Sequence, residues 1–140
     1  MNLLQYEDKL IRITDHAGHV FTGRVKALPS GSGREEESIK IGDCVLAGSE
    51  IARIEEVPSF QEAVSAIPPG TYRHFKGNLY QVLCIARHSE TTEPMVVYHA
   101  LYGEGGVWTR PAIMWNENVT RDGKTFPRFR RVPDPADPEG

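Results

Sequence analysis

The chain has 140 residues, of which 39% are hydrophobic and 25% are charged, and its formal net charge is −3. This composition is close to the globular average, so it argues against disorder throughout, and the length allows one ordinary domain or two very small ones. The charge is unevenly distributed, because residues 70–132 contain nine basic and five acidic residues, a local balance of +4 that leaves −7 for the rest. We therefore expect a locally basic module that binds an anion or a polyanion.

The N-terminus and the cysteines indicate the cellular compartment. Residues 1–8 lack the basic and apolar regions of a signal peptide, and no apolar run approaches the length of a membrane span. Cys44 and Cys84 lie in different halves of the chain, in apolar contexts and without metal-ligand spacing, which predicts two buried free thiols. We expect a soluble, cytoplasmic protein with no cofactor, no metal and no membrane contact.

The first 57 residues have the pattern of a small β-structure. Apolar and polar residues alternate in short runs, a turn cluster occupies residues 15–18, and Gly23 is placed to bend a strand sharply. No convincing helix interrupts these runs, which is typical of a small closed barrel. Five short strands are predicted, over residues 10–14, 20–28, 38–41, 44–46 and 50–57.

Three segments carry a resemblance to a known fold. Residues 13–23 (ITDHAGHVFTG), 38–41 (SIKI) and 49–55 (SEIARIE) resemble the Sm-like (LSm) barrel in a divergent bacterial form. The resemblance implies an Sm-like domain over residues 1–57. The Asp-x-x-x-Asn-type segment and the Arg-Gly dipeptide that build the nucleotide pocket of RNA-binding members are missing from this sequence, so the fold carries over without that pocket. The expected role is a scaffold or an edge-pairing interaction module.

A short helix is predicted between the two halves. Pro58 ends the preceding strand, and Ser59 with Glu62 matches the S-x-x-E capping box. Apolar residues follow at helical spacing until a Pro-Pro-Gly sequence ends the segment. We interpret residues 58–69 as a stiff linker that contains one short helix.

Strand patterns return after residue 70. In the longest run, residues 79–88, strict alternation places Tyr80, Val82, Cys84 and Ala86 on one face. An Asp-Gly pair at 122–123 predicts a hairpin, and residues 133–140 form a proline-rich acidic tail that we expect to be disordered. The other predicted strands cover residues 71–75, 95–102, 107–110 and 126–132, with one helical turn at 112–115.

This second half resembles the bacterial domain-of-unknown-function family 1653 over residues 70–132. The resemblance implies a small SH3-like barrel and no known activity. The predicted fold is therefore all-β, with two small barrels, Sm-like and SH3-like, joined by a short helical linker. The motifs that carry the resemblance are GxYRHFKGNxY (70–80), ARHSE (86–90), VVY (96–98), ALYG (100–103), WxRP (108–111) and PRF (127–129).

Arginines, histidines and aromatic residues alternate along these strands. Arginine forks suit phosphates and carboxylates, aromatic faces suit bases, and histidines change charge near neutral pH. We therefore predict that the second barrel recognises an anionic, planar ligand: a nucleotide, a modified base, or single-stranded RNA or DNA. The predicted ligand-binding residues are Arg73, His74, Arg87, His88, Tyr98 and Arg110.

The same residues allow other interpretations. Aromatic residues at strand spacing, such as Tyr80 and Trp108, also fill barrel interiors, and His74 or His99 also serve as hydrogen-bonded structural groups. Edge strands of two small barrels would suit a scaffold that binds a protein partner or a second copy of the chain. The sequence contains no G-x-S-x-G elbow, P-loop, Rossmann fingerprint or zinc signature, so we expect a binding protein and not an enzyme.

Overall fold

The computed structural model describes residues 2–31, 33 and 35–133, which fall into two compact units. The first unit contains Met1–Val57 and Ser89–Glu93, and the second contains Pro58–His88 and Pro94–Gly140. Strands dominate and helices are short, so the predicted all-β class is confirmed. Among the described residues, no helix has the length and apolar character needed to cross a bilayer. Apart from Pro133, the tail predicted to be disordered lies outside the described residues.

The first unit contains one antiparallel sheet of five strands in the order β4-β3-β2-β1-β5. All five predicted strands form, but β4 and β5 are the sheet edges and do not pair with each other among the described residues. The predicted closed barrel is therefore not confirmed by strand pairing. The strands are β1 (Leu10–Asp15), β2 (Val20–Leu28), β3 (Ser38–Ile41), β4 (Cys44–Ala47) and β5 (Ile51–Glu56), with 3₁₀ turns at Leu3–Tyr6 and Gly48–Glu50.

The core of this unit follows from the alternation in β1. Ile11 and Ile13 point inward and are fully buried, while Arg12 between them stays partly exposed. The N-terminal 3₁₀ turn adds Leu3 to the same cluster. The prediction of buried thiols is wrong for both cysteines, which are exposed. Cys44 begins the edge strand β4, where a side chain has no second strand beside it.

The second unit contains a five-stranded antiparallel sheet in the order β12-β6-β7-β8-β9, and β10 and β11 form a separate hairpin. In the described part of the chain, β9 and β12 remain edges, so closure of an SH3-like barrel is likewise not confirmed. The elements are α1 (Phe60–Ala66), β6 (Gly70–His74), β7 (Leu79–Arg87), β8 (Pro94–Ala100), β9 (Val107–Pro111), α2 (Ala112–Trp115), β10 (Asn118–Arg121), β11 (Lys124–Pro127) and β12 (Phe129–Arg131).

Helix α1 forms as predicted, with both bonds of the capping box. The Glu62 backbone N–H donates to Ser59 Oγ at 3.1 Å, and the Ser59 backbone N–H donates to Glu62 Oε1 at 3.0 Å. The helix nevertheless does not act as the predicted linker, because it is part of the second unit. Ala63 and Ile67 are buried in the hydrophobic core of the second unit, because the apolar stripe of the helix packs there.

A β-bulge in β7 changes which residues face the core. Val82 pairs with Tyr98, but Cys84 pairs with the next residue, Val97, so one extra residue enters β7 at Leu83. The predicted alternation therefore fails after Val82, and Ile85 packs against the core while Cys84 is exposed.

Candidate functional site

The second unit has an aromatic floor beneath its sheet. Trp115, which α2 carries inward, stacks on Phe129 with ring centroids 3.7 Å apart and planes inclined by 3°. Tyr72 and Tyr98 meet the Trp115 ring edge-on, at 5.5 and 5.1 Å. These rings supply most of the apolar contact in this core, so Trp115 and Tyr72 serve the fold.

Three tyrosines form a cluster beside this floor, which we call the tyrosine cluster: Tyr80, Tyr98 and Tyr102. The Tyr80 and Tyr102 hydroxyls are hydrogen-bonded at 2.7 Å. Burial, together with this hydrogen bond, raises the pKa of Tyr80 to about 12, so its hydroxyl stays protonated and acts as a hydrogen-bonding group. The positive charge of Arg110 lies near the Tyr98 side chain, and Arg110 donates from Nε to the Met114 carbonyl at 3.5 Å. Burial raises the pKa of Tyr98, although the Arg110 charge opposes this.

His74 lies at the end of β6 among rings and cations. Its Nδ1 accepts a hydrogen bond from the Lys76 backbone N–H at 3.2 Å, and its ring lies 5.0 Å from that of Phe129. Burial lowers the pKa of His74, and the nearby charges of Arg128, Lys76 and Arg110 lower it further. His74 is therefore neutral at neutral pH and lies in a positive field.

A pocket of about 220 Å³ opens beside His74. We call it the basic pocket, and it is lined by Arg73, His74, Phe75, Phe126, Pro127 and Arg130. Arg73 on β6 is directly opposite Arg130 on β12 in the strand register. Like charges in such a cross-strand pair are destabilising, so this pair favours the arrival of an anion.

Three more cations surround the Phe75 ring, which lies 5.9 Å from the Phe126 ring. Their distances to the Phe75 centroid are 5.0 Å for Arg121, 5.8 Å for Arg128 and 5.8 Å for Lys76. Within the described ranges, Arg128 is paired with the Glu117 carboxylate at 3.3 Å, whereas no ion pair within 4.0 Å is found for Arg73, Lys76, Arg121 or Arg130. The site thus concentrates positive charge around two phenylalanine rings.

The structure brings four of the six predicted site residues near one another. Arg73 and His74 line the basic pocket, Tyr98 belongs to the tyrosine cluster, and Arg110 lies next to Tyr98. The Phe129 ring joins the two groups, because it lies 5.0 Å from the His74 ring and 6.0 Å from the Arg110 guanidinium carbon.

The other two predicted residues lie elsewhere. Arg87 is at the far end of β7, where its guanidinium carbon lies 4.0 Å from the centroid of the Phe60 ring on α1. His88 follows directly after β7. The fold therefore does not bring all six predicted residues into a single site. Ligand binding by any of them stays a prediction.

Sequence reasoning missed part of this site. It gave no ligand-binding role to Arg130, Phe75 or Phe126, although all three line the basic pocket. The pairing of β12 with β6 joins segments that are distant in sequence, so local periodicity gives no sign of it. The alternative in which Trp108 fills the barrel interior is wrong, because its side chain is 61% exposed.

The fold and the site define a small all-β protein with a basic, aromatic pocket in its second unit. The family described as "Protein of unknown function (DUF1653)" matches residues 70–131. The crystal structure of a DUF1653 protein from Bordetella bronchiseptica is 41% identical to the chain, over 53% of this chain and 92% of that one, with a TM-score of 0.46. The match and the sequence identity show that the chain belongs to the DUF1653 family through its second unit.

The resemblance of residues 70–132 to this family is thus confirmed. No curated protein matches the chain. The comparisons give no support to the Sm-like resemblance of residues 1–57, which stays a prediction.

Proposed function

We propose that the second unit is a non-catalytic binding module, acting in the cytoplasm, for an anionic ligand with a planar group: a nucleotide or a single-stranded nucleic acid. One observation carries the proposal. Arg73 and Arg130 lie side by side on neighbouring strands in the lining of the basic pocket, further cations surround Phe75, and among these cations only Arg128 has a carboxylate partner in the described part of the chain.

Phosphate chemistry fits this arrangement. Arginine guanidinium groups donate two parallel hydrogen bonds to a phosphate, and a bound anion would relieve the repulsion between Arg73 and Arg130. The Phe75 and Phe126 rings offer surfaces on which a base can stack. At about 220 Å³, the pocket is smaller than the roughly 300–1,000 Å³ of typical small-molecule sites, so it suits one phosphate with part of its nucleoside.

The charge pair in the pocket has a matched control elsewhere in the chain. Lys26 and Lys40 are also directly opposite each other, on β2 and β3, and both are exposed. The double variant Arg73→Ala/Arg130→Ala and the double variant Lys26→Ala/Lys40→Ala therefore remove the same charge and the same kind of cross-strand pair. Only the first pair lines a pocket with aromatic walls.

The test is fluorescence anisotropy with a labelled eight-nucleotide oligothymidylate at several salt concentrations. Each charge-assisted hydrogen bond contributes about 1.5–3 kcal/mol, so we expect R73A/R130A to weaken binding at least tenfold. The slope of log K against log salt should become shallower by about 0.7, since the two arginines together neutralise the one phosphate in the pocket and each neutralised phosphate on a single strand contributes about 0.7.

The K26A/K40A variant should bind like the unmodified chain. Equal weakening by both double variants, salt-independent binding, or no binding at micromolar protein would each contradict the proposal.

A second candidate function is a scaffold that self-associates through edge strands. It is favoured by the open sheets and by Val45 on β4 and Val107 on β9, which are 52% and 64% exposed on unpaired edges. An Sm-like fold for residues 1–57 would also favour it, because barrels of that class commonly pair their edges. The oligomeric state separates the two functions.

A further inference from the structure

The β10–β11 hairpin carries a second cross-strand pair of cations. Arg121 and Lys124 are directly opposite each other in the strand register, and both are exposed. The two residues between them, Asp122 and Gly123, have φ angles of 53° and 74°, as the central residues of a type I′ hairpin turn do. Because this tight turn fixes the pairing, two like charges are held side by side although they repel each other.

This cation pair shares a face of the hairpin with a wall of the basic pocket. Lys124 lies on the same side of β11 as Phe126, two residues later, and Arg121 is on that side because it is opposite Lys124. The Phe126 ring lines the basic pocket. The other face of the hairpin carries Thr120 and Thr125, whose hydroxyls are hydrogen-bonded at 3.0 Å. The cations and the aromatic wall therefore belong to one surface.

The Phe75 ring connects the cation pair to the pocket. Phe75 lines the basic pocket, and its centroid lies 5.9 Å from that of Phe126 and 5.0 Å from the Arg121 guanidinium carbon. A guanidinium over a ring is held there by cation–π attraction and uses its flat face for the contact. Its N–H groups, which lie in the guanidinium plane, stay available for a phosphate. Arg121 is thus oriented before a ligand arrives, which lowers the entropic cost of binding.

The carboxylates near this pair in sequence do not neutralise it. Glu117 is paired with Arg128 at 3.3 Å. Asp122 in the turn has no ion pair within 4.0 Å in the described part of the chain, and the same holds for Arg121 and Lys124. The tip of the hairpin therefore presents two positive charges to an anion.

The second pair lies outside the basic pocket. Neither Arg121 nor Lys124 is among the residues that line it, and two residues of an extended strand separate the Cα atoms of Lys124 and Phe126 by about 7 Å. A phosphate held by Arg73 and Arg130 therefore leaves the second pair free for another phosphate. In a nucleic acid strand, successive phosphates are joined through one nucleoside.

We propose that Arg121 and Lys124 form a second phosphate subsite next to the basic pocket, so that the ligand is a single strand of nucleic acid and not a free nucleotide. The inference rests on the proposed function of the basic pocket. The Phe75 and Phe126 rings, which connect the two cation pairs, contact the nucleoside between the two phosphates. Phosphate contacts and ring contacts do not read base edges, so binding is expected to show little sequence preference.

The experiment compares two ligands on the full chain by isothermal titration calorimetry: an eight-nucleotide oligothymidylate and thymidine monophosphate. We expect Arg121→Ala/Lys124→Ala to weaken oligonucleotide binding roughly threefold to tenfold, as exposed charge pairs do, and to leave monophosphate binding unchanged. The slope of log K against log salt for the oligonucleotide should become shallower by about 0.7, because one phosphate contact is lost. Arg121→Lys/Lys124→Arg keeps both charges and should retain most of the affinity.

Thr120→Val/Thr125→Val is the matched control. It changes the cross-strand pair on the opposite face of the same hairpin, and valine favours strands as threonine does. This variant should bind both ligands like the unmodified chain. Trp115 stacks on Phe129 in the core of the second unit, so unchanged tryptophan fluorescence in each variant would show that this unit is still folded.

The outcomes separate the inference from the proposed function. If R121A/K124A binds the oligonucleotide normally while R73A/R130A does not, the second subsite is wrong and the basic pocket stands. If R121A/K124A weakens both ligands equally, the two cation pairs hold the same phosphate and the second subsite is again wrong. If the monophosphate binds as tightly as the oligonucleotide, one phosphate is sufficient and the ligand is a free nucleotide. If the unmodified chain binds neither ligand, the basic pocket and the second subsite are both refuted.

Discussion

At the scale of single residues, His74 connects the two parts of the candidate site. It lines the basic pocket, contacts the Phe129 ring, and is influenced by cations from three different segments: Lys76, Arg110 and Arg128. A histidine in that position resists protonation, because both its burial and its neighbours disfavour a further positive charge. The native fold therefore holds it neutral under conditions in which an unfolded chain would not.

This has a consequence for the pH dependence of stability. The pKa of His74 in the folded chain is lowered from the ordinary value of 6.5, so its contribution to stability is fully present above pH 6.5. As the pH falls below 6.5, the unfolded chain takes up the proton first and this contribution is lost. We expect the free energy of unfolding to decrease less between pH 7 and pH 5 in His74→Gln than in the unmodified chain.

Urea unfolding at each pH, followed by tryptophan fluorescence, measures this effect, since both tryptophans belong to the second unit. Identical pH profiles for the two chains would contradict the assignment of a lowered pKa to His74.

His74 and the arginines around it show which part of the candidate site the sequence predicts. Arg73 and His74 were selected because charged and aromatic residues alternate in a local strand pattern, and both line the pocket. Arg130 completes the charge pair only through the pairing of β12 with β6, a long-range contact that has no local signature. Arg87 fits the same local pattern as Arg73, but the bulge in β7 and the Phe60 ring give it a different place.

At the scale of elements, the capping box of α1 is the feature most fully determined by local sequence. The four residues from Ser59 to Glu62 contain both side chains and both backbone groups of its hydrogen bonds. The packing of the helix was not predictable in the same way, because the partners of Ala63 and Ile67 come from later strands. Local chemistry predicted where the helix begins, and tertiary packing made it part of the core.

Ser59→Ala tests the contribution of the cap. Removing a serine cap costs about 1 kcal/mol, within a range of roughly 0.5–2, because the Glu62 backbone N–H loses its acceptor. We expect the urea midpoint of the fluorescence transition to fall accordingly. Ser65→Ala is the control, since Ser65 is exposed within the same helix and alanine favours helix formation. Equal urea midpoints for S59A and S65A would show that the serine cap does not stabilise the protein.

At the scale of the whole molecule, both sheets are open where closed barrels were expected. Each unit has its own hydrophobic core, and the strand order leaves β4, β5, β9 and β12 as edges among the described residues. The sequence predicted the strands themselves because alternation is local. Closure of a barrel requires that its first and last strands pair with each other. Neither hydrophobic periodicity nor turn residues determine this pairing.

These edges lead to the test that separates the binding module from the scaffold. For the binding module we expect light scattering to give the mass of one chain, 15.7 kDa, even at high protein concentration. Val45→Lys places a charge on the edge strand β4 and should leave that mass unchanged. A larger mass that decreases in V45K or in Val107→Lys would instead support the scaffold.

The bulge at Leu83 also has an evolutionary consequence. Leu83 is the extra residue that allows the first half of β7 to present Tyr80 and Val82 to the core and the second half to present Ile85. Substitution of this exposed residue would change little, and its deletion would restore simple alternation while leaving every later side chain on its present face, because Cys84 and Ile85 already pair with Val97 and Val96. Homologous domains should therefore vary at this position both in residue type and in whether the extra residue is present, while the other residues of the strand keep their faces.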